Sequence, residues 1–206
     1  ELIDERRKNP GDDFLSTLIL AEDQGSKLSN MEMCALVGAV LGAGSDTAVD
    51  LHSYLIKTLL QHPDQLRALK EDESLVQGAI SETLRYESSG KTGLARYASE
   101  DIDLNGFQVK KGQMVQLITS TAGMDPKMYD NPGVFDIKRD HDKSISFGQG
   151  PHYCIGVTLV RSQTEVMLKE LFKRFPNISL GDKIVYDYDH HNARRMDVMM
   201  VDTNLS

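Results

Sequence analysis

The pattern of apolar and polar residues predicts helices over most of the chain and strands in two regions. Residues 92–118 lose the helical spacing of apolar residues, and Asn105-Gly106 in this region is typical of a two-residue hairpin turn. Residues 184–188 and 196–201 are predicted to form a closing hairpin. Helices are predicted at residues 14–21, 63–70, 75–86 and 157–175, where apolar residues recur every three to four positions, and a longer one starts near residue 30. The apolar side of the helix at 157–175 is formed by Leu159, Val166, Leu168, Leu171 and Phe172. Pro10-Gly11 separates a short charged helix from the helix at 14–21, residues 23–27 form a polar connection, and Asp125-Pro126 and Asn131-Pro132-Gly133 mark an irregular stretch. The expected fold is mainly α with small β-sheets.

The longest predicted helix begins at a capping box formed by Ser29 and Glu32. Residues 31–41 are apolar on nearly all sides, which is typical of a helix buried in a protein core. This apolar run is too short for a bilayer and is followed by Asp46, so no membrane span is predicted. Cys34 within it is interpreted as a small packing residue.

Residues 147–156 form a glycine-bent loop around one cysteine, Cys154. Pro151 stiffens the loop, and its glycines allow positive φ angles and the close approach of a flat ligand. Because a helix is predicted from residue 157, Cys154 precedes a helix N-terminus, where N–H groups and the helix dipole stabilise an anionic sulfur. A thiolate ligand to a metal is one interpretation, and an inert buried thiol is the other.

The same ten residues resemble the haem-binding loop of the cytochrome P450 family. The positions that carry this resemblance are Phe147, Gly148, Gly150, His152, Cys154 and Gly156. It implies that Cys154 is the axial thiolate ligand of the iron of haem b (iron protoporphyrin IX). It also implies that Phe147 shields the sulfur and that His152 hydrogen-bonds a haem propionate. Histidine at residue 152 is similar to the soluble bacterial branch of the family.

The resemblance covers nearly all of the 206 residues. It maps them onto the C-terminal half of the family's fold, so residues 1–206 are expected to be the C-terminal portion of a single P450 catalytic domain. A net charge of −8 disfavours nucleic acid as a partner, because phosphates require a basic surface. Cys34 and Cys154 lie far apart in different motifs, so a reducing, cytoplasmic location is expected and a disulfide scaffold is not.

The long helix carries an unusual polar string, Ala43-Gly44-Ser45-Asp46-Thr47. Gly44 weakens the helix, and Thr47 can return its hydroxyl to the Ala43 carbonyl, so a kink or groove is expected. The string resembles the P450 oxygen-binding groove. This implies that Thr47 hydrogen-bonds the iron-bound oxygen, that Asp46 gates protons to it, and that Ala43 and Gly44 contact the haem. Otherwise, Asp46 and Thr47 are polar residues on an exposed helix face.

Glu82 and Arg85 are three residues apart on a predicted helix, where their side chains can meet. They resemble the buried Glu–Arg pair of the P450 family, whose third member would be Arg139. The resemblance implies a structural clamp under the cysteine loop, whose members are costly to remove singly because the others stay buried and unpaired. Arg96 falls where the family places an arginine that pairs with a haem propionate; the alternative is a surface arginine on a strand.

The substrate pocket is expected to be lined by residues 88–94, with Lys91 turned to solvent. Residues 190–193, between the last two strands, are expected to project toward the distal pocket by the same resemblance. A zinc site is an alternative for some of these residues, although its spacings match no common zinc pattern. That site would use His152, Cys154, His190 and His191.

The function implied by the resemblance is a haem-thiolate monooxygenase that inserts one atom of O2 into a small organic substrate. No flavin or iron–sulfur signature is present, so electrons are expected from a separate ferredoxin or flavodoxin with its reductase. Because such partners are usually acidic, Arg161, Lys169 and Lys173 on the helix after Cys154 are candidates for the docking surface. Two alternatives are a peroxide-driven haem enzyme and a non-catalytic haem-binding fragment.

Overall fold

The computed structural model describes residues 1–21, 28–90, 93–189 and 193–204. They form two compact units, Glu1–Thr47 and Ala48–Ser206, and the boundary falls within helix α3 (Asn30–Gln61). Three expectations lie outside the described residues. They are the polar connection at residues 23–27, the solvent-facing Lys91, and the projection of residues 190–192 together with the zinc site that needs two of them.

The first unit opens with two short helices, α1 (Leu2–Lys8) and α2 (Phe14–Ala21), separated by the predicted proline–glycine break. Asp13 begins α2, since its Oδ1 accepts a hydrogen bond from the Ser16 N–H at 2.7 Å. Its Oδ2 pairs with Arg6 Nε at 2.5 Å. The Arg6 guanidinium, together with Ser16, lowers the pKa of Asp13 to about 2.

Helix α3 starts at the predicted capping box, which is confirmed. The Ser29 N–H donates to Glu32 Oε2 at 2.8 Å, and the Glu32 N–H donates to Ser29 Oγ at 3.2 Å. The prediction that residues 31–41 are buried holds for Met33, which is fully buried, and is wrong for most of the others; Cys34 is an exposed thiol. Met31 is 82% exposed in this part of the helix. An all-apolar pattern indicates which surface can be buried, but burial also requires a facing element, which most of these residues lack within the described part of the chain.

Among the described residues, α3 is also the one helix that is long and apolar enough to cross a membrane. Its most apolar stretch has a mean hydropathy of 1.3, and 11% of that stretch is buried. The sequence pattern predicted that the apolar run is too short for a bilayer. By length and composition, α3 as a whole is long enough. Length and composition alone are weak evidence, because the core helix of a soluble protein meets the same criteria.

The second unit packs the later part of α3 against α4 (Pro63–Glu71), α5 (Val76–Tyr86) and α7 (Val157–Arg174), close to the predicted ranges. Its buried apolar residues are Leu51, Leu55, Leu59, Leu69, Val76, Ala79, Ile80, Phe135, Ile137 and Leu168. Four of the ten come from α3 and α4, and three come from α5. The core therefore forms where α5 lies, directly beside the segment that leads to the cysteine loop.

Helix α7 buries only part of the apolar side that its sequence predicts. Leu168 is buried, and Leu171 and Phe172 are half-buried, as expected. Leu159 and Val166 were placed on the same side by their spacing, yet each is 62% exposed. Thr164 is the other buried residue of α7, and it is tolerated in the core because its hydroxyl donates to the Val160 carbonyl at 2.6 Å. The buried face therefore includes a polar residue that hydropathy alone does not select.

The described strands form three two-stranded antiparallel sheets, as predicted for the two strand regions. The pairs are β1 (Leu94–Tyr97) with β4 (Met114–Leu117), β2 (Ile102–Leu104) with β3 (Phe107–Val109), and β5 (Ser179–Asp187) with β6 (Arg195–Asp202). Asn105 (φ 53°) and Gly106 (φ 92°) form the predicted hairpin turn, because both take the left-handed conformation of a type I′ turn. A short helix, α6 (Thr119–Ala122), follows β4 and was not predicted.

Candidate active site

The cysteine loop, residues 147–156, bends sharply at two of its three glycines. Gly148 (φ 77°) and Gly150 (φ 67°) take the positive φ angles expected from the sequence. Gly156 has a φ of −85°, so the expectation of a positive φ is wrong there. Gly156 instead ends the loop as the residue before α7. Between the bends, Gly150–His152 form one turn of 3-10 helix that contains Pro151.

Cys154 lies where the loop closes on itself. Its backbone N–H donates to the Phe147 carbonyl at 2.9 Å, which joins the first residue of the loop to the cysteine. The thiol is half-buried, and a Cβ added at Gly156 would lie 3.9 Å from Cys154 Sγ. Because α7 begins at Val157, the sulfur precedes the N-terminus of an 18-residue helix. The position suits a thiolate.

A cavity with a volume of about 560 Å³ lies against the cysteine loop. Its lining residues are Leu94, Arg96, Leu117, Ile118, Thr119, Ala122, Ile145, Gly148, Gln149, Pro151 and His152. Arg96 of β1 and His152 of the loop both line this cavity, and the resemblance implies that both hold the same ligand. Its size is within the range of about 300–1,000 Å³ common for ligand pockets.

These residues fit haem on three grounds. The cavity lining is mainly apolar, which suits a flat macrocycle. Arg96 and His152 supply two donors for anionic groups at its edge. Gly148 lines the cavity with a φ of 77°, a left-handed conformation that disfavours a side chain there. Among the residues that the structure describes, no cluster of three His, Cys, Asp or Glu could hold a bare metal ion.

The predicted pair Glu82 and Arg85 is fully buried on α5. Arg85 Nε and Nη2 each lie 2.7 Å from a Glu82 carboxylate oxygen, which makes the pair bidentate. Arg139 Nε reaches the same carboxylate at 3.2 Å, so the predicted third member is in place. The Asp136 N–H also donates to Glu82 Oε1, at 2.9 Å. One carboxylate therefore organises two arginines and a backbone amide.

The two arginines extend this cluster to the irregular segment that precedes the cysteine loop. Arg85 donates to the carbonyls of Gly123, Pro132 and Val134 at 2.7–3.0 Å. Arg139 donates to the Asp130, Asn131 and Val134 carbonyls at 2.7–3.3 Å. Backbone carbonyls that no helix or strand would pair are thus satisfied by side chains. The cluster fixes the chain that leads into the loop, as a structural clamp would.

The family model of cytochrome P450 matches residues 1–184. This chain belongs to the cytochrome P450 family. Members of the family bind haem, and relatives of this chain are named epoxidases, hydroxylases and monooxygenases, which are oxidoreductases.

Similar P450 proteins come from several bacteria. The epothilone C/D epoxidase of Sorangium cellulosum is 39% identical over 188 residues, which are 91% of this chain and 45% of that protein. The biotin biosynthesis cytochrome P450 of Bacillus subtilis is 38% identical over 182 residues, which are 88% of this chain and 46% of that protein. The chain spans about half the length of the curated relatives it matches.

Solved P450 structures agree with the fold. Epothilone D-bound cytochrome P450epoK superposes with a TM-score of 0.92 at 38% identity, over 99% of this chain and 51% of that one. P450BioI in complex with an acyl carrier protein that carries hexadec-9Z-enoic acid gives 0.89 at 36% identity, over 97% of this chain and 51% of that one. The mainly α fold with small sheets is therefore the P450 fold.

The predicted oxygen-binding string of the P450 family belongs to the first unit. Helix α3 is continuous through Ala43-Gly44-Ser45-Asp46-Thr47, and Thr47 Oγ1 donates to the Ala43 carbonyl at 2.5 Å, as expected. Ser45 donates to the Leu41 carbonyl in the same way, at 2.9 Å. All five residues are exposed. The lining of the 560 Å³ cavity comes entirely from the second unit, so the roles of Ala43, Gly44, Asp46 and Thr47 stay predictions.

Two of the three predicted docking residues on α7 are already engaged. Lys169 pairs with Glu73 at 3.1 Å. Arg161 donates to Gln77 Oε1 at 2.9 Å and to Ser81 Oγ at 3.0 Å, both on α5. Lys173 is exposed. A basic residue after the cysteine predicts positive charge, but the sequence does not show which of these side chains already has a partner within the chain.

Sequence reasoning missed a cluster of four side chains next to the expected substrate segment, residues 88–94. Its members are Tyr54, Lys57, Glu87 and Arg194. Lys57 on α3 pairs with Glu87 at 2.5 Å, and Glu87 also pairs with Arg194. The Arg194 guanidinium contacts the hydroxyl of Tyr54, and that hydroxyl donates to the Arg194 carbonyl at 2.9 Å. Burial raises the pKa of Tyr54 to about 12, so the phenol stays protonated. No short motif links these four residues, which explains why the pattern did not reveal them.

The cluster holds the expected substrate segment in place. The Arg194 N–H donates to the Ser89 carbonyl at 2.7 Å, and Gly90 forms an isolated antiparallel bridge with Ala193. Ser88, Ser89 and Gly90 line a second, smaller cavity of about 280 Å³ together with Arg194. Leu94, at the end of the segment, lines the larger one. The predicted substrate segment therefore contributes to two cavities, and only its end reaches the one beside the cysteine loop.

Proposed function

We propose that this chain is the C-terminal portion of a P450 catalytic domain, in which Cys154 is the axial thiolate ligand of haem b. The observation that carries the proposal is the cavity that joins Arg96 and His152 to the glycine-bent loop of Cys154. The coverage of about half of each relative supports the assignment to a longer domain. The exposed apolar face of α3 does so as well, because residues of the remaining domain would cover it.

The proposed reaction is the insertion of one atom of O2 into an organic substrate, with the other atom released as water. When bound, the haem supplies oxygen activation, to which a thiolate ligand contributes electron density. Arg96 and His152 would orient the haem by hydrogen bonds to its propionates, and Phe147 would shield the sulfur from water. These roles position the reacting centre and exclude solvent from it.

Proton delivery is proposed for Asp46 and Thr47. The Thr47 hydroxyl donates to the Ala43 carbonyl, which leaves its oxygen lone pairs available. Thr47 Oγ1 can then accept a hydrogen bond from a ligand, while Asp46 exchanges protons with solvent. Thr47→Ala tests this role, since it should raise oxygen consumption per molecule of product. If the enzyme is peroxide-driven, Thr47→Ala should not change the amount of product formed per molecule of peroxide consumed.

The substrate is proposed to be a mainly apolar organic molecule from a biosynthetic pathway. Relatives include the epothilone C/D epoxidase and the 6-deoxyerythronolide B hydroxylase of Saccharopolyspora erythraea, which are named for such molecules. The apolar lining of the cavity supports the same class. Titration of candidate substrates against the haem absorption of the loaded protein tests it, because binding next to the iron changes that absorption.

Electrons are proposed to come from a separate ferredoxin or flavodoxin with its reductase, in the cytoplasm. Lys173 is the docking residue that the structure favours, because it is exposed on α7 and, unlike Lys169, has no described ion pair. Lys173→Gln should slow reduction by the partner and leave haem binding intact. Reduction at the same rate at low ionic strength would contradict this assignment.

The test of haem ligation compares the two cysteines of the chain. We expect the reduced, haem-loaded protein to give a thiolate-type Soret band with carbon monoxide. Cys154→Ser should abolish this band, whereas Cys34→Ser should retain it, since Cys34 is an exposed thiol of the first unit. Absence of haem binding in the unsubstituted chain would favour the second candidate, a non-catalytic fragment, which the exposure of Asp46 and Thr47 also favours.

A further inference from the structure

We propose that Arg161 is a positioning residue of the cysteine loop, which fixes Phe147 and through it Cys154. This rests on the proposed function only in taking Cys154 as the haem ligand. It gives Arg161 a role different from docking a redox partner, the role that its charge and place on α7 predicted. The contacts of its guanidinium carry the inference.

Arg161 is anchored on the side of α5. Its Nη1 donates to Gln77 Oε1 at 2.9 Å, and its Nη2 donates to Ser81 Oγ at 3.0 Å. Ser81 is buried, and the next residue of α5 is Glu82, the carboxylate that organises Arg85 and Arg139. Ser81 and Glu82, which are neighbours on α5, thus hold two parts of the chain. Ser81 binds Arg161 of α7, after the cysteine loop, and Glu82 organises the segment before that loop.

The anchored guanidinium faces the first residue of the loop. Its central carbon lies 5.3 Å from the centre of the Phe147 ring, within the range of a cation–π contact. The ring is half-buried. A guanidinium can form two hydrogen bonds in its plane while its face contacts a ring, whereas an ammonium group has neither the planar fork nor the stacking face. Arg161 therefore links α5 to Phe147 in a way that lysine would not reproduce.

Phe147 passes this constraint to the cysteine through the backbone. The carbonyl of Phe147 accepts the Cys154 N–H at 2.9 Å, so the ring held by Arg161 and the acceptor of that bond belong to the same residue. Cys154 is half-buried in this arrangement. Release of the ring would loosen the loop closure and admit solvent to the sulfur. We infer that Arg161 controls both the position and the accessibility of the thiol.

The first test measures alkylation of the two cysteines in the haem-free chain. Arg161→Met should increase the alkylation rate of Cys154 about two- to fivefold, the factor that corresponds to loss of an exposed or half-buried cation–π contact. The exposed Cys34 is the internal reference, and its rate should not change. Arg174→Met is the matched control, because Arg174 is on the same helix and pairs only with Glu170 among the described residues.

A double-substitution cycle separates positioning from general loss of stability. In a Phe147→Leu background the ring is already absent, so Arg161→Met should cause no further increase in the Cys154 rate. Arg161→Lys should resemble Arg161→Met, because lysine keeps the charge but not the geometry. An unchanged Cys154 rate in Arg161→Met, or an equal increase with and without Phe147, would overturn the inference.

The second test uses the haem-loaded protein. Arg161→Met should shift part of the reduced carbon monoxide spectrum from the thiolate-type band to the type seen without a thiolate, and Arg174→Met should not. A complete thiolate-type band in Arg161→Met would overturn the positioning role. If the unsubstituted chain gives no thiolate-type band, the proposed function fails, whereas the alkylation result still decides the role of Arg161.

Discussion

The Glu82 cluster on α5 and the Asp46–Thr47 string on α3 are both polar motifs on largely apolar helices, yet their surroundings differ. Glu82 and Arg85 are fully buried, and each finds its partners within the chain. Asp46 and Thr47 are exposed, and the Thr47 hydroxyl bonds to its own helix. The first motif is complete in itself.

The difference shows which kind of motif predicts its own structure. A buried charge must be paired, so the presence of Glu82 and Arg85 in a core helix requires further partners such as Arg139. An exposed acid or hydroxyl carries no such requirement, because water or the next turn of the helix satisfies it. The function of an exposed acid or hydroxyl depends on the groups that face it, and the residues of the motif do not show which groups those are.

The largest effect is expected from Arg85→Met. This substitution leaves the Glu82 carboxylate buried with one partner fewer and removes a donor from three backbone carbonyls, of which only Val134 keeps a second donor, Arg139. Loss of one member of a buried pair costs about 3–5 kcal/mol. Urea unfolding of the chain measures it. Arg174→Met, which breaks an exposed pair with Glu170, should cost less than about 0.5 kcal/mol, and an equal effect of both would remove the distinction.

A pair of glycine substitutions sharpens the comparison, because the chemical change is the same in both helices. A Cβ at Gly78 of α5 would lie 2.1 Å from the Ile137 carbonyl oxygen, whereas one at Gly44 of α3 would meet nothing within 4 Å. Gly78→Ala should therefore destabilise the chain by about 1–3 kcal/mol or more. Gly44→Ala should stabilise it by up to about 1 kcal/mol, since alanine favours helix. Thermal unfolding gives both signs, and the same sign for both would contradict the structure.

His141, which lies near the Glu82 cluster, should make the stability of the chain depend on pH. Burial lowers the pKa of His141, with Arg85 and Arg139 acting in the same direction and Glu82 and Asp140 opposing it. Neither ring nitrogen has a hydrogen-bond partner among the described residues.

Since the folded pKa lies below the unfolded value of about 6.5, the unfolded chain binds a proton first as the pH falls. The stability due to neutral His141 is therefore present above about pH 6.5 and is lost as the pH falls toward the folded pKa. His141→Gln should reduce this acid-side loss, measured by urea unfolding at neutral and mildly acidic pH. An unchanged pH profile would show that His141 does not take part.

The smallest effect on stability is expected from Thr47→Ala. Its hydroxyl is exposed and bonds only to the Ala43 carbonyl among the contacts described, so the free energy of unfolding should change by no more than about 0.5 kcal/mol. Urea unfolding beside Arg85→Met provides the measurement. A loss as large as that of a buried residue would show that Thr47 is not on an exposed face.

Sequence reasoning succeeded where local chemistry determines structure. The capping box at Ser29, the turn at Asn105-Gly106 and the left-handed Gly148 each follow from rules that act over a few residues. The α5 range and the third member of the Glu82 cluster were also predicted, the latter from a family resemblance. These features position most of the candidate site.

Prediction failed where a long-range contact decides the outcome. Most apolar residues between residues 31 and 41 of α3 are exposed although their pattern indicated burial, and Met33 is fully buried. The buried face of α7 includes Thr164, whose hydroxyl is paired within the helix, and omits Leu159 and Val166, so hydropathy identified only part of that face. Arg161 looked like a free surface charge because Gln77, Ser81 and Phe147 are distant in sequence. The spacing of residues along the chain does not show which distant residues become neighbours in the fold.

The cluster of Tyr54, Lys57, Glu87 and Arg194 has a consequence for the order of events during synthesis. Tyr54 and Arg194 are 140 residues apart, and Glu87 and Arg194 are 107 apart. The nascent chain can pair Lys57 with Glu87 early, but it cannot complete this cluster until residue 194 has left the ribosome. Contacts of such wide separation form late and slowly. The segment that follows Glu87 should therefore stay protease-sensitive on the ribosome until the final hairpin arrives.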